Sequence, residues 1–329
     1  MITTRSKAVE GAARIAAAVA ILVCGNALSQ TAAHSSWPTK PVRWVVPYAP
    51  GGPTDVVSRI VAPGLAERIG QSVIIENRTG AAGNVGTEAV MKSAPDGHTL
   101  VYVVPAVIMN PFFLKSSPDP QALAPVIRVV SVSMVMLASS NFAPKSVAEV
   151  IALARAKPGT VSCGSAGGVP TVACELLRVH AGSDMIMVMY KGQGPALNAL
   201  MGGEINLLFD SVSTAMPSIK AGRTRPIATL SAKRGRGAFA ILPTVADTIP
   251  GFEFTIWHAL MAPAATPRDI LARINREVAG ALSQPGIHQR LTDAGFEIAD
   301  NSLEEFESLY RSETAKYTKA LREAGIKPE

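Results

Sequence analysis

The sequence predicts an α/β protein built as two lobes, and three observations carry that expectation. Beyond position 40, short β-branched runs alternate with amphipathic stretches at helical spacing. The length of 329 residues suits two domains of ordinary size, each able to bury its own core. The composition, 48% hydrophobic and only 17% charged, excludes a disordered or coiled-coil chain. No run reads as a transmembrane helix. IAAAVAILVC (15–24) is too short to span a bilayer, and VIRVVSVSMVMLAS (126–139) carries Arg128 and alternates like a strand.

The first element in order is an address. Residues 1–33 have the layout of a secretory signal peptide: Arg5, Lys7 and Arg14 precede the apolar run and small residues follow it. Cleavage is expected either after Ser29 or after Ala33, so the mature protein is expected to be exported across the cytoplasmic membrane. Val23 stands where a lipid-attachment signal at Cys24 would need a small side chain, so a lipoprotein anchor is not expected. Removing 1–33 takes away three cations and one anion and lowers the net charge from +6 to +4. That mild excess suits attraction of anions and equally a solvated surface. No nucleic-acid partner is implied, because the one basic cluster, KRGRG (233–237), lacks interleaved aromatics and reads as a turn.

The folded elements follow. VRWVVP (42–47), SVIIEN (72–77) and TLVYVVP (99–105) are β-branched runs bounded by Gly, Pro or Asn, and read as strands. Between the first two, Val56, Val57, Ile60, Val61, Leu65 and Ile69 recur at helical spacing, with Gly70 as the stop. Pro63 is expected to break or kink that helix. VAEVIALARAK (147–157), TVSCGS (160–165) and TVACELLRVHAG (171–182) read as helix, strand, helix; DMIMVMY (184–190), ALNALMGG (196–203) and INLLFDS (205–211) read as strand, helix, strand. Such alternation predicts parallel sheets covered on both faces. Ser302 and Glu305 form a capping box for a last helix running to Gly325, with Leu303, Phe306, Leu309, Tyr310, Tyr317 and Leu321 on its core side. Cys163 and Cys174 match no zinc spacing; in an oxidising compartment they either pair or remain two small buried thiols.

Ligands of α/β proteins sit where strands end and helices begin, at unpaired N–H groups and the positive end of the helix dipole. Three segments combine a strand end, glycines and a helix start: PYAPGGPTD (47–55), GSAGGVPT (164–171) and YKGQGPALN (190–198). Nucleotide binding is not expected, since GAAGNVG (80–86) lacks the dinucleotide G-x-G-x-x-G spacing and no P-loop occurs. CGSAG (163–167) is one residue away from a G-x-S-x-G nucleophile elbow. With Asp210 or Asp247 and His258 or His288 it satisfies the chain order of a hydrolase, the rival reading. The five histidines form no close metal-ligand pair, so neither a metal nor a cofactor is expected.

Together, WPTKPVRWVVPYAPGGPTDVVSRIV (37–61), VIIENRTGAAGNVGTEAV (73–90), APDGHTL (94–100) and YKGQGPALNALMGGEINLLFDS (190–211) resemble the signatures of the Bug (TctC-like) family, the extracytoplasmic solute-binding proteins of tripartite tricarboxylate transporters. PTVADTIPGFEFTIWHALMAPAATP (243–267) and the tail ending KALREAGIKPE fit as well, so the resemblance spans the whole mature chain. It implies a type II periplasmic-binding-protein fold whose lobes, joined by crossover segments, close on a small carboxylate. Lobe I would comprise 34–137 and 255–329, and lobe II 138–254. By the same resemblance, Tyr48, Pro50, Gly51, Gly52, Thr54 and Asp55 line one lobe. Ser165, Ala166, Gly167, Gly168, Thr171, Tyr190, Lys191, Gly192 and Asp210 line the other. A monomer is expected, serving the permease subunits of such a transporter or a sensor kinase. Three departures stand out. The loop at 165–171 is about two residues shorter than the family's, Thr171 or a neighbour replaces its histidine, and the usual W-x-G reads Trp257, His258, Ala259.

Overall fold

The computed structural model describes residues 37–165, 168–231, 239, 241–299, 301–323 and 325–326. The chain divides after Thr39, and the sheets, core and cavity described below lie within the second unit, Lys40–Glu329. The signal-peptide segment and the KRGRG cluster fall outside the described residues.

The strands are β1 (Val42–Val46), β2 (Val73–Asn77), β3 (Thr99–Val103), β4 (Leu123–Val132), β5 (Met134–Ser139), β6 (Ser162–Ser165), β7 (Ile186–Met189), β8 (Leu207–Ser211), β9 (Thr224–Thr229), β10 (Ile256–Pro263) and β11 (Glu297–Ile298). The longer helices are α1 (Pro53–Ile69), α2 (Asn84–Met91), α3 (Val147–Ala156), α4 (Val169–Ala181), α5 (Gln193–Gly202), α6 (Val212–Lys220), α7 (Arg268–Leu282), α8 (Pro285–Asp293) and α9 (Leu303–Glu323). They assemble two sheets, one ordered β11-β4-β10-β3-β1-β2 and the other β7-β6-β8-β5-β9. The strands read from the sequence are all present, shortened by a residue or two at their ends.

Two expectations need correction. The sheets are mixed, not parallel: β10 runs antiparallel to β3 and β4, and β5 runs antiparallel to β8 and β9. β4 leads out of the first sheet and β10 leads back into it beside the same crossing, so these two run in opposite directions, as do β5 and β9 on the other side. Pro63 neither breaks nor ends α1, which continues to Gly70 in the left-handed region (φ 67°). The ring of Pro63 lies on the exposed face of the helix, where water can satisfy the backbone carbonyl it releases.

The chain changes sheet at Ser133, since Met134 already pairs with Ser211 in the second sheet. The return runs between β9 and β10. Leu230 N–H bonds the Met134 carbonyl (3.0 Å) and Phe254 N–H bonds the Leu230 carbonyl (2.8 Å), so the outgoing and returning tracks lie side by side.

The inner strand β5 of the second sheet is buried on both faces, its alternate side chains packing on opposite sides. Met134 and Met136 of β5 join one cluster with Leu177 of α4, whereas Val135 and Leu137 join another with Leu200 of α5 and Ala215 of α6. Cys163 of β6 and Cys174 of α4 form a disulfide across a Cα separation of 6.0 Å, resolving the open alternative in favour of pairing. On the first sheet, α9 starts with the expected capping box: Ser302 N–H bonds Glu305 Oε2 (2.7 Å) and Glu305 N–H bonds Ser302 Oγ (3.2 Å). Its buried Phe306 and Tyr310 meet the Trp257 ring edge-on, with centroids 6.0 and 6.1 Å away. Gly86 in α2 is where the helix touches the first candidate loop. A Cβ there would lie 2.5 Å from the Arg78 carbonyl and 2.8 Å from Pro47 Cβ, so only glycine lets α2 pack behind residue 47.

Candidate functional site

The first candidate loop leaves β1 at Pro47 and enters α1 at Pro53. Gly51 takes φ 78°, a left-handed turn that glycine adopts without strain, and its N–H bonds Asp55 Oδ2 at 2.9 Å. The same oxygen accepts from Arg59 Nε (2.9 Å), and Asp55 Oδ1 accepts from Asn77 Nδ2 (2.9 Å), which also bonds the Tyr48 carbonyl (3.2 Å). Asp55 is thus a buried fastening for the loop, with both carboxylate oxygens hydrogen-bonded within the protein. The Arg59 hydrogen bond is the main cause that lowers its pKa to about 2, against the opposing effect of burial. Asp55→Ala should cost about 2 kcal/mol in urea unfolding, because the Gly51 and Asn77 donors lose their acceptor. The ion pair adds little to that figure, as the Arg59 side chain is half exposed. A wild-type unfolding midpoint would show that the loop is held some other way.

A cavity of about 490 Å³ opens between the sheets. Gly51, Pro53 and Val56 bring the start of α1 to its wall, and Pro170 brings the start of α4. Gln193 is the first residue of α5, while Ser211, Ser213 and Thr214 are the cap and first turn of α6. Four helix N-termini therefore face one space. The remaining wall is mostly apolar and comes from the crossing strands and their neighbours: Val132, Met134 and Ile256, then Ala294 and Phe296 beside His258. Among the described residues, no lysine or arginine lines it.

Two buried titratable groups also line the cavity. Asp210, at the end of β8, accepts on Oδ1 from Ser211 N–H (2.7 Å) and from Thr214 Oγ1 (2.6 Å). Its Oδ2 is buried beside the Gln193 side chain, whose Nε2 also donates to the Phe209 carbonyl (3.0 Å). Burial pushes the carboxyl pKa up, and the hydrogen bonds only partly oppose it. His258 on β10 is held edge-on between Tyr102 and Phe296, each centroid 5.8 Å away, and burial pushes its pKa down to about 4.

Of the residues expected to line the site, the cavity brings together Gly51 and Asp210. Pro50 is exposed, Gly52 caps α1, and Thr54 is buried in its first turn. Tyr48 is half-buried, with its ring against Gly83, and burial raises its pKa. Ser165 is fully buried and its Oγ lies 2.6 Å from Thr171 Oγ1, an arrangement that gives an ester carbonyl no approach to the rival nucleophile. Gly168 caps α4 and Gly192 caps α5, while Ala166 and Gly167 lie outside the described residues. Tyr190 packs beside Gly164 on the second-lobe core, and Lys191 is exposed.

The sequence reading missed the walls contributed by the crossing strands and by α6. One signal was present for α6: Ser211 is an N-cap residue directly after Asp210, and its side chain accepts from Thr214 N–H (3.3 Å). Val132, Met134 and Ile256 carried none, because an apolar strand residue does not reveal which cleft it will face.

Comparison with known proteins agrees with this geometry. A family model described as "Tripartite tricarboxylate transporter family receptor" (TctC) matches residues 57–326. The structure of the periplasmic binding protein BugD is 27% identical, with a TM-score of 0.70 over 89% of this chain and 100% of that one. Rpa4515 of R. palustris, solved with adipate, is 32% identical, with a TM-score of 0.73 over 89% and 100% of the two chains. MatC (Rpa3494) from Rhodopseudomonas palustris, solved with malate, is 30% identical, with a TM-score of 0.69 over 87% and 100%. With two α/β lobes, a cleft between them and a family match over most of its length, the chain belongs to the TctC (Bug) family of periplasmic binding proteins, and it is a solute receptor, not an enzyme.

Proposed function

We propose that this receptor captures a small carboxylate in the cavity between its lobes and delivers it to the membrane subunits of a tripartite tricarboxylate-type transporter. The observation that carries this is the convergence of four helix N-termini on a cavity that, among the described residues, no lysine or arginine lines. Unpaired first-turn N–H groups and the helix dipole suit an anion. The hydroxyls of Ser211 and Ser213 stand beside them. The adipate and malate found in two relatives belong to the same chemical class. Closure follows only from contacts that are better in the closed state, so second-lobe residues from α4, α5 and α6 would carry much of the difference. The closed form is then what a permease, or a sensor kinase in its place, would recognise. Export through residues 1–33 completes this reading, and N-terminal sequencing of the secreted protein would read the cleavage site directly.

A thermal-shift screen tests the proposal. A ligand at about a hundred times its dissociation constant adds roughly 2.7 kcal/mol, which should raise the melting midpoint by about 5–10 °C. Aliphatic di- and tricarboxylates should produce such shifts and their methyl esters should not. Equal shifts with acids and esters would remove the anion site from the reading.

A further inference from the structure

His258 brings an imidazole to a mostly apolar stretch of the cavity wall. The residue is 3% exposed, lines the cavity, and comes from β10, not from a helix N-terminus. Its Nδ1 is buried with no hydrogen-bond partner. A proton placed there would create an orphaned buried donor, which folded proteins avoid more strictly than an unused acceptor. The proton therefore belongs on Nε2. With Nδ1 turned into the protein, the Nε2 edge is the one left to the cavity. Edge-on contacts to Tyr102 (interplanar 79°) and Phe296 (61°) fix the ring plane, so this donor has a set direction. The pKa of about 4 keeps the ring neutral and single-proton at neutral pH.

We propose that His258 is the specificity-determining residue of the site, donating its Nε2–H to a second acceptor on the ligand, such as the far carboxylate of a diacid. The inference rests on the carboxylate-receptor reading and deepens it: helix N-termini hold the first carboxylate, and His258 selects ligands that carry an acceptor beyond it. Around His258 the cavity offers such a group little else. Val132, Ile256 and Phe296 are apolar, and a monoacid with an alkyl end would leave the imidazole donor unpaired.

The test measures binding by calorimetry of short to medium straight-chain diacids, adipate among them, each paired with the monoacid of equal chain length. The wild-type protein should favour the diacid by about tenfold to a hundredfold, the worth of one hydrogen bond to a charged group. His258→Phe keeps the aromatic packing and removes the donor, so it should lose that preference while monoacid affinity stays within about threefold. His258→Gln, which restores an N–H donor of similar reach, should recover part of it. Thermal melts at neutral pH check that both variants fold. An unchanged diacid preference in folded His258→Phe, or an equal loss for both members of each pair, would overturn the proposal. A wild-type protein that binds acids without preferring diacids would overturn it and leave the carboxylate reading standing. Failure to bind any acid would overturn both.

Discussion

Replacing Cys163 and Cys174 together by alanine should lower the unfolding free energy by about 3 kcal/mol. The bridge joins β6 to α4 across 11 positions in sequence. In the chain-entropy account, closing a loop of that size removes unfolded-state freedom worth roughly 3 kcal/mol. Both side chains are buried in the second-lobe core, so alanines would also lose some packing there. Urea unfolding of the wild-type protein with and without a thiol reductant, alongside the double variant, checks the expectation. The reduced wild type and the variant should unfold at similar midpoints, both below the oxidised protein. Coincident midpoints for all three would mean that the bridge adds nothing. Affinity should fall as well, because Cys163 lies two residues before Ser165 and α4 brings Pro170 to the cavity wall.

Acid should destabilise the protein through His258. In the folded state burial holds its pKa near 4, whereas the unfolded chain titrates near the ordinary value of 6.5. Between these two values the unfolded state binds a proton that the folded state refuses. Stability therefore rises with pH through this window and is lost as pH falls from about 6.5 towards about 4. At 1.36 kcal/mol per unit the loss approaches about 3 kcal/mol. Asp210 acts with the opposite sign, because burial raises its carboxyl pKa and lets the folded form keep a proton that the unfolded chain has released. Asp55 loses its contribution only below that window, as pH falls from about 3.8 towards about 2. The wild type and His258→Phe, unfolded in urea from about pH 7 to about pH 4, separate these effects. The difference in their slopes is the imidazole's share, and parallel curves would show that His258 does not titrate as its burial demands.

Much of the architecture was legible because local rules and tertiary outcome agree. The alternation of β-branched runs and amphipathic stretches, the Gly70 stop and the Ser302–Glu305 box all act over a few residues, and each appears where the sequence places it. Pro63 shows where local reasoning fails: its ring points to solvent, so α1 tolerates it within a packed helix. The mixed strand directions could not be read either, because they follow from how the chain passes between sheets and not from any one strand's pattern. The site was legible only in part. Gly51 and Asp210 stand on the cavity, but Asp55 acts from behind the loop, and Tyr190 packs into the second-lobe core. His258 was visible as a departure within the Trp257–Ala259 segment. Its partnerless Nδ1 depends on the packing of Tyr102 and Phe296, which lie far from it in sequence.

The paired tracks between the sheets have a mechanical consequence. β4 and β10 are hydrogen-bonded to one another on one side of the crossing, and β5 and β9 on the other. Each ladder lies within one sheet, so rotation about Ser133 and the adjoining Leu230–Phe254 contact leaves both intact. Two chain crossings tied together by hydrogen bonds restrict the relative motion of the sheets more than a single crossing would. In the proposed capture of a solute, the closing motion would then have less freedom to lose, and less ordering entropy would oppose binding.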